Sequence, residues 1–102
     1  MNKMVYKHIE DGNILFNELK SNPINVIKVY SNTCAPCKVL HPQYQQLSER
    51  FNFVNFLDIN MKSNLVRVSA VPTTLIIKEG VIVEKILGAD INELEGKLRS
   101  FL

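Results

Sequence analysis

Residues 26–44, VIKVYSNTCAPCKVLHPQY, restrict what this chain can fold into more than any other stretch. An apolar run with β-branched Val26, Ile27 and Val29 has the composition of a buried strand. It ends in polar Ser31, Asn32 and Thr33, and two cysteines follow, Cys34 and Cys37. From Pro36 onward, apolar residues recur at Leu40, Tyr44, Leu47 and Phe51, a helical spacing. Both sulfurs are therefore expected where a strand hands over to the first turn of a helix. That turn carries unpaired backbone N–H groups and the positive end of the helix dipole, so it stabilises an anion. A thiol placed there gives up its proton more readily than a free cysteine, and the thiolate is the form that attacks disulfides.

The rest of the chain supplies a setting for that junction. Residues 4–9 alternate weakly and predict a short first strand. Asp11, Gly12 and Asn13 form a turn able to cap a helix over Ile14, Leu15, Phe16 and Leu19, closed by Ser21, Asn22 and Pro23. The second strand, residues 24–30, leads to the cysteines. Pro36 suits the first helical turn, whereas Pro42 removes a hydrogen bond and predicts a kink. Residues 53–59 read as a third strand and 61–67 as a short helix or irregular connection. Residues 73–78 and 81–87 are two strands joined at Glu79-Gly80, an antiparallel hairpin. Asp90, with Glu93 three residues on, opens a last helix carrying Ile91, Leu94, Leu98 and Phe101 on one face. The phenylalanines at 51, 53, 56 and 101 are read as core. This order predicts an α/β fold in one domain over residues 1–102: a central mixed β-sheet of four to five strands flanked by helices on both faces.

Several function classes fall away on composition. A formal charge of +2 with no block of Lys or Arg gives no footprint for nucleic acid or an anionic membrane surface. No run of eighteen apolar residues is present to cross a bilayer. The first dozen residues, MNKMVYKHIEDG, lack the apolar segment of a signal peptide, so a cytoplasmic location is expected. In that compartment two cysteines are metal ligands or a redox pair more often than a structural staple. Zinc usually takes four ligands, and only His8 and His41 join the cysteines. Both histidines are expected at the surface, and no metal is assigned. Cys34 and Cys37, three apart on a helix, have Cβ atoms about 5–6 Å apart, and a disulfide needs roughly 3.5–4.5 Å. A small shift thus opens or closes the bond. Cys34, nearer the helix start and solvent, is the expected nucleophile; Cys37, a turn deeper, is the resolving thiol.

With these pieces in place the chain resembles the thioredoxin family over nearly its whole length. Cys34-Ala35-Pro36-Cys37-Lys38 is similar to the family's Cys-Gly-Pro-Cys-Lys, and Pro42 matches the proline of the active-site helix. Val71-Pro72-Thr73 matches the segment whose proline is cis in that family, while Gly80 and Gly88 fall at its hairpin and rim glycines. The resemblance implies a thioredoxin fold and a protein-disulfide reductase. It also implies no cofactor beyond the redox-active Cys34–Cys37 disulfide, disulfide-containing protein substrates, and a reductase as electron donor. Neither nucleic acid nor a membrane is an expected partner, and the protein is expected to act as a monomer. Thr33, Ala35, Pro36, Val71, Pro72 and Gly88 would form the substrate-binding rim, with the Val71 backbone free to pair with an extended segment. A glutaredoxin-like carrier and a non-catalytic binding module on the same fold are the alternatives.

Three positions depart from the family pattern. Thr33 stands where a Trp usually precedes the first cysteine, and Ala35 replaces Gly. Lys28 occupies the place of a buried Asp on the strand before the motif. A buried ammonium requires a partner or loses its proton. Asp58 on the neighbouring strand is the expected partner, and the pair would tune the acidity of Cys37. The alternative is that Lys28 runs out along the sheet with its charge in water.

Overall fold

The computed structural model of the chain describes residues 6–102. Strand β1 (Tyr6–His8) is followed by helix α1 (Gly12–Ser21), β2 (Ile24–Tyr30), α2 (Ala35–Arg50) and β3 (Asn55–Asn60). A single 3-10 turn (Met61–Ser63) and an irregular connection lead to β4 (Thr73–Lys78), β5 (Val81–Leu87) and α3 (Ile91–Arg99). Met4 and Val5, expected in the first strand, lie outside the described residues.

The five strands form one mixed sheet in the order β1-β3-β2-β4-β5. β3 pairs in parallel with β1 and β2, and β4 pairs antiparallel with β2 and β5. A central strand covered on both faces is mostly apolar, and Val26, Ile27 and Val29 of β2 are at most 1% exposed, with Asn25 and Lys28 as its buried polar residues. Alternate residues then feed two cores. Val26 and Phe56 join Leu40, Tyr44 and Leu47 of α2 and Leu94 and Leu98 of α3 on one face. Ile27, Val29, Leu57 and Ile59 pack with Leu15 of α1 on the other.

Local signals set the element ends. Asp11 Oδ1 accepts from the N–H groups of Asn13 (2.8 Å) and Ile14 (3.1 Å), capping α1, and Asp90 Oδ1 accepts from Glu93 N–H at 3.0 Å, capping α3. In the β4–β5 turn both Glu79 (φ 51°) and Gly80 (φ 78°) are left-handed, as the turn of a tight hairpin requires. Tyr44 is fully buried, with its hydroxyl 3.1 Å from the Val26 carbonyl and 2.6 Å from that of Leu57. It ties α2 to two strands. Tyr44→Phe is expected to lower the free energy of unfolding by about 1–2 kcal/mol in urea titration, since the one buried O–H that serves these carbonyls is lost. A loss below about 0.5 kcal/mol would contradict this.

Two expectations need correcting. β3 begins at Asn55, because Val54 N–H bonds to the Phe51 carbonyl at 2.9 Å and closes a turn after α2. Phe53 lies on that turn, 71% exposed, and is not core. On α1 only Leu15 is buried, while Ile14 and Phe16 face outward.

Candidate active site

The cysteines begin α2. Cys34 is its N-cap, with extended backbone (φ −96°, ψ 110°), and its Sγ accepts from the Cys37 N–H at 3.1 Å. The outer sulfur therefore takes up one of the donors that a helix start leaves unpaired. The two residues are joined as a disulfide with Cα atoms 5.2 Å apart. Cys37 is buried, Cys34 half-buried, and Thr33, Ala35 and Pro36 are exposed around them.

Pairing register gathers the other rim residues at the same end of the sheet. Val29, five residues before Cys34, pairs with Thr73, which follows Pro72 and pairs in turn with Leu87, the residue before Gly88. The Val71–Pro72 bond is cis, Pro72 is buried, and its carbonyl accepts from Gly88 N–H at 2.9 Å. Gly88 has φ +83°, a conformation that favours glycine.

Beside the disulfide lies a cleft of about 450 Å³. The end of β2 contributes Tyr30, Ser31 and Asn32, and α2 contributes Cys37, Lys38 and His41. Lys28 and Asp58 complete it, 1% and 5% exposed. Their Cα atoms are paired across β2 and β3, yet among the described residues no ion pair joins them. Asp58 Oδ1 bonds instead to His8 Nδ1 at 2.8 Å, and Lys28 Nζ lies 2.9 Å from His41 Nδ1. The expected direct pair is thus replaced by two neighbouring ones. The cause is reach: β1 sets His8 opposite Asp58, while α2 lowers His41 onto Lys28. The alternative of a solvated Lys28 also fails, because its ammonium is enclosed between His41 and the Tyr44 ring, 4.8 Å from the ring centroid.

Burial pulls the Lys28 ammonium down to about 8, a fall that the negative Asp58 partly opposes. His41 is lowered as well, first by burial and then by the Lys28 charge. For His8, burial acts downward, but its bonds to Asp58 and Glu10 prevail and leave it raised. With Lys28 donating to Nδ1, the ring proton of His41 sits on Nε2, which faces the Tyr6 hydroxyl at 3.3 Å. His41 was expected to be a surface residue. It is half-buried and built into the cleft. The signal that locates it is its place four residues after Cys37, on one side of the same helix. Among the described residues, no three His, Cys, Asp or Glu side chains stand together as metal ligands, and no helix is long and apolar enough to cross a membrane.

Known proteins resemble this chain in sequence and fold. Residues 7–100 match the family model for thioredoxin. The chain is 35% identical over 89 residues to thioredoxin H2 of Arabidopsis thaliana, covering 81% of this chain and 67% of the relative. It is 37% identical over 101 residues to a thioredoxin of Neurospora crassa, covering 86% and 80%. The crystal structure of a thioredoxin h from Nicotiana alata superposes with a TM-score of 0.89 at 26% identity, over 98% of this chain and 95% of that one. A cysteine pair bonded at a helix start, on this sheet and with these relatives, means that the chain belongs to the thioredoxin family of thiol–disulfide oxidoreductases.

Proposed function

We propose that a single domain carries electrons in pairs to disulfides of partner proteins, with Cys34 attacking and Cys37 resolving. The Cys34 thiolate bonds to one substrate sulfur and releases the other. The Cys37 thiolate then attacks Cys34 Sγ, forming the intramolecular disulfide and expelling the second substrate sulfur with its electron pair. One observation carries this division of labour: the outer sulfur receives a helix-start N–H and is half-buried, whereas Cys37 is 4% exposed. The geometry suits Thr33, Ala35 and Pro36 to one side of a substrate segment and Val71, Pro72 and Gly88 to the other, with the Val71 backbone pairing to it. Lys28, its charge kept near Cys37 and balanced by Asp58, would favour the inner thiolate and so the reduced form.

Each turnover leaves a disulfide that must be reduced again. The cysteine pair itself is the redox group in this reading, no tightly bound cofactor takes part, and an external reductase supplies the electrons. A cytoplasmic, monomeric carrier fits the use of its only two cysteines for exchange rather than for bracing.

The test is a trap. Reduced Cys37→Ser, mixed with cell extract, is expected to accumulate mixed disulfides that dithiothreitol releases, while a Cys34→Ser control accumulates none. Equal yields from the two variants would sink the assignment.

A further inference from the structure

We propose that the cleft beside Cys37 binds a small organic acid with two carboxylates, one held by the buried Lys28 ammonium and the other by Lys38 at the mouth. The site is independent of the exchange cycle, which uses no diffusible anion, and the oxidised protein already presents it.

Lys28 is 1% exposed and lines the cleft. A buried ammonium requires an anion close by, because neutral neighbours do not repay its removal from water. Among the described residues, no carboxylate lies within ion-pair distance of Lys28. Of its three protons, one goes to His41 Nδ1 at 2.9 Å, and the Tyr44 ring covers another side, 4.8 Å from Nζ to the centroid. An N–H is left to give. The surrounding elements do not take it up with a negative charge. Asp58 of β3 is bonded to His8 of β1, which also meets Glu10 at 3.4 Å. Tyr6 of β1, Tyr30 of β2 and Tyr44 of α2 hold their protons, each raised chiefly by burial. His41 is lowered and neutral at pH 7, Cys37 is bonded to Cys34, and Thr74 of β4, opposite Lys28, carries no charge. Lys38 only adds a second cation.

The shape of the cleft selects the class of anion. Its volume of about 450 Å³ is that of a small-molecule pocket and exceeds what a lone inorganic ion fills. The Tyr30 ring, its centroid 5.7 Å from Lys28 Nζ, gives a flat apolar wall for a short carbon chain. Lys38 is exposed and stands three residues before His41 on α2, so it starts one helical turn from the imidazole that holds Lys28. Two cations at different depths, with an apolar wall beside them, fit a short dicarboxylate better than acetate or phosphate.

Sodium succinate titrated into the oxidised protein, read by amide chemical shifts against sodium chloride at equal ionic strength, tests the site. Saturable shifts are expected at the cleft residues, with a Kd at or below about 1 mM. Lys28→Met should weaken binding at least about tenfold. Lys38→Gln, at an exposed position that does not disturb the fold, should weaken succinate about threefold or more and leave acetate nearly unchanged. In the parent protein, affinity should fall about tenfold from pH 7 to 9, because the Lys28 ammonium, held to about 8, loses its proton while succinate keeps both charges. Equal affinity in Lys28→Met, a flat profile from pH 7 to 9, or shifts that chloride reproduces would overturn the site. Inorganic phosphate binding as tightly as succinate would overturn its assignment to an organic acid.

Discussion

Cys34→Ser is expected to bring protein-disulfide reduction down to background, at least about 10³-fold below the parent chain in an insulin-reduction assay. A serine hydroxyl at the same place receives the same N–H bond, but it neither ionises near neutral pH nor trades bonds with sulfur. The effect thus isolates the nucleophile from its setting. The setting has its own measure. In the reduced protein, alkylation of Cys34 followed against pH should show a midpoint clearly below the ~8.5 of a free thiol, because the helix start and the Cys37 N–H favour the anion. A midpoint at the free-cysteine value, or residual turnover above a tenth of the parent rate in Cys34→Ser, would contradict this account.

Lys28→Met should stabilise the oxidised protein at pH 7, and the gain should fade in alkali. In the folded chain Lys28 sits at about 8 instead of 10.5. Between those values the unfolded chain binds more protons, so the stability of the parent rises with pH across this window and is lowest below it. At about 1.4 kcal/mol per pH unit, the full span comes to roughly 3 kcal/mol. The advantage of the methionine variant over the parent should therefore narrow by about that amount from pH 7 to above 10, as read by urea unfolding. A constant difference across the range would show that Lys28 does not titrate in this way. The same substitution removes a cation from beside Cys37, and the reduction potential should fall by about 30 mV, a tenfold change in the equilibrium. A shift smaller than about 10 mV would remove Lys28 from the redox chemistry.

Much of the architecture is legible in the residues alone, for local reasons. Asp11 and Asp90 announce helix starts because a side-chain carboxylate bonds the free N–H groups nearby, and both do so here. A mostly apolar, β-branched run marks β2 as central, and Glu79-Gly80 marks the hairpin, since both depend on neighbours in sequence. The partners of Lys28 depend on something else. Which side chain meets its ammonium is decided by how α2 lies over the sheet and by β1 on the far side of β3, and neither is encoded near residue 28. Strand parity correctly sets Lys28 and Asp58 opposite each other, but register fixes backbones and not the reach of side chains. Phe53 shows the same gap. An aromatic residue next to a strand invites a core assignment, and the turn that exposes it is visible only once α2 has ended.

The two cysteines lie only three positions apart. A cross-link that short takes little freedom from an unfolded chain, about 2 kcal/mol on loop-closure grounds against nearly 5 for a loop of a hundred residues. Oxidation state therefore weighs lightly on whether the molecule keeps its shape. Repeated opening and closing of so short a link therefore asks little of the rest of the frame.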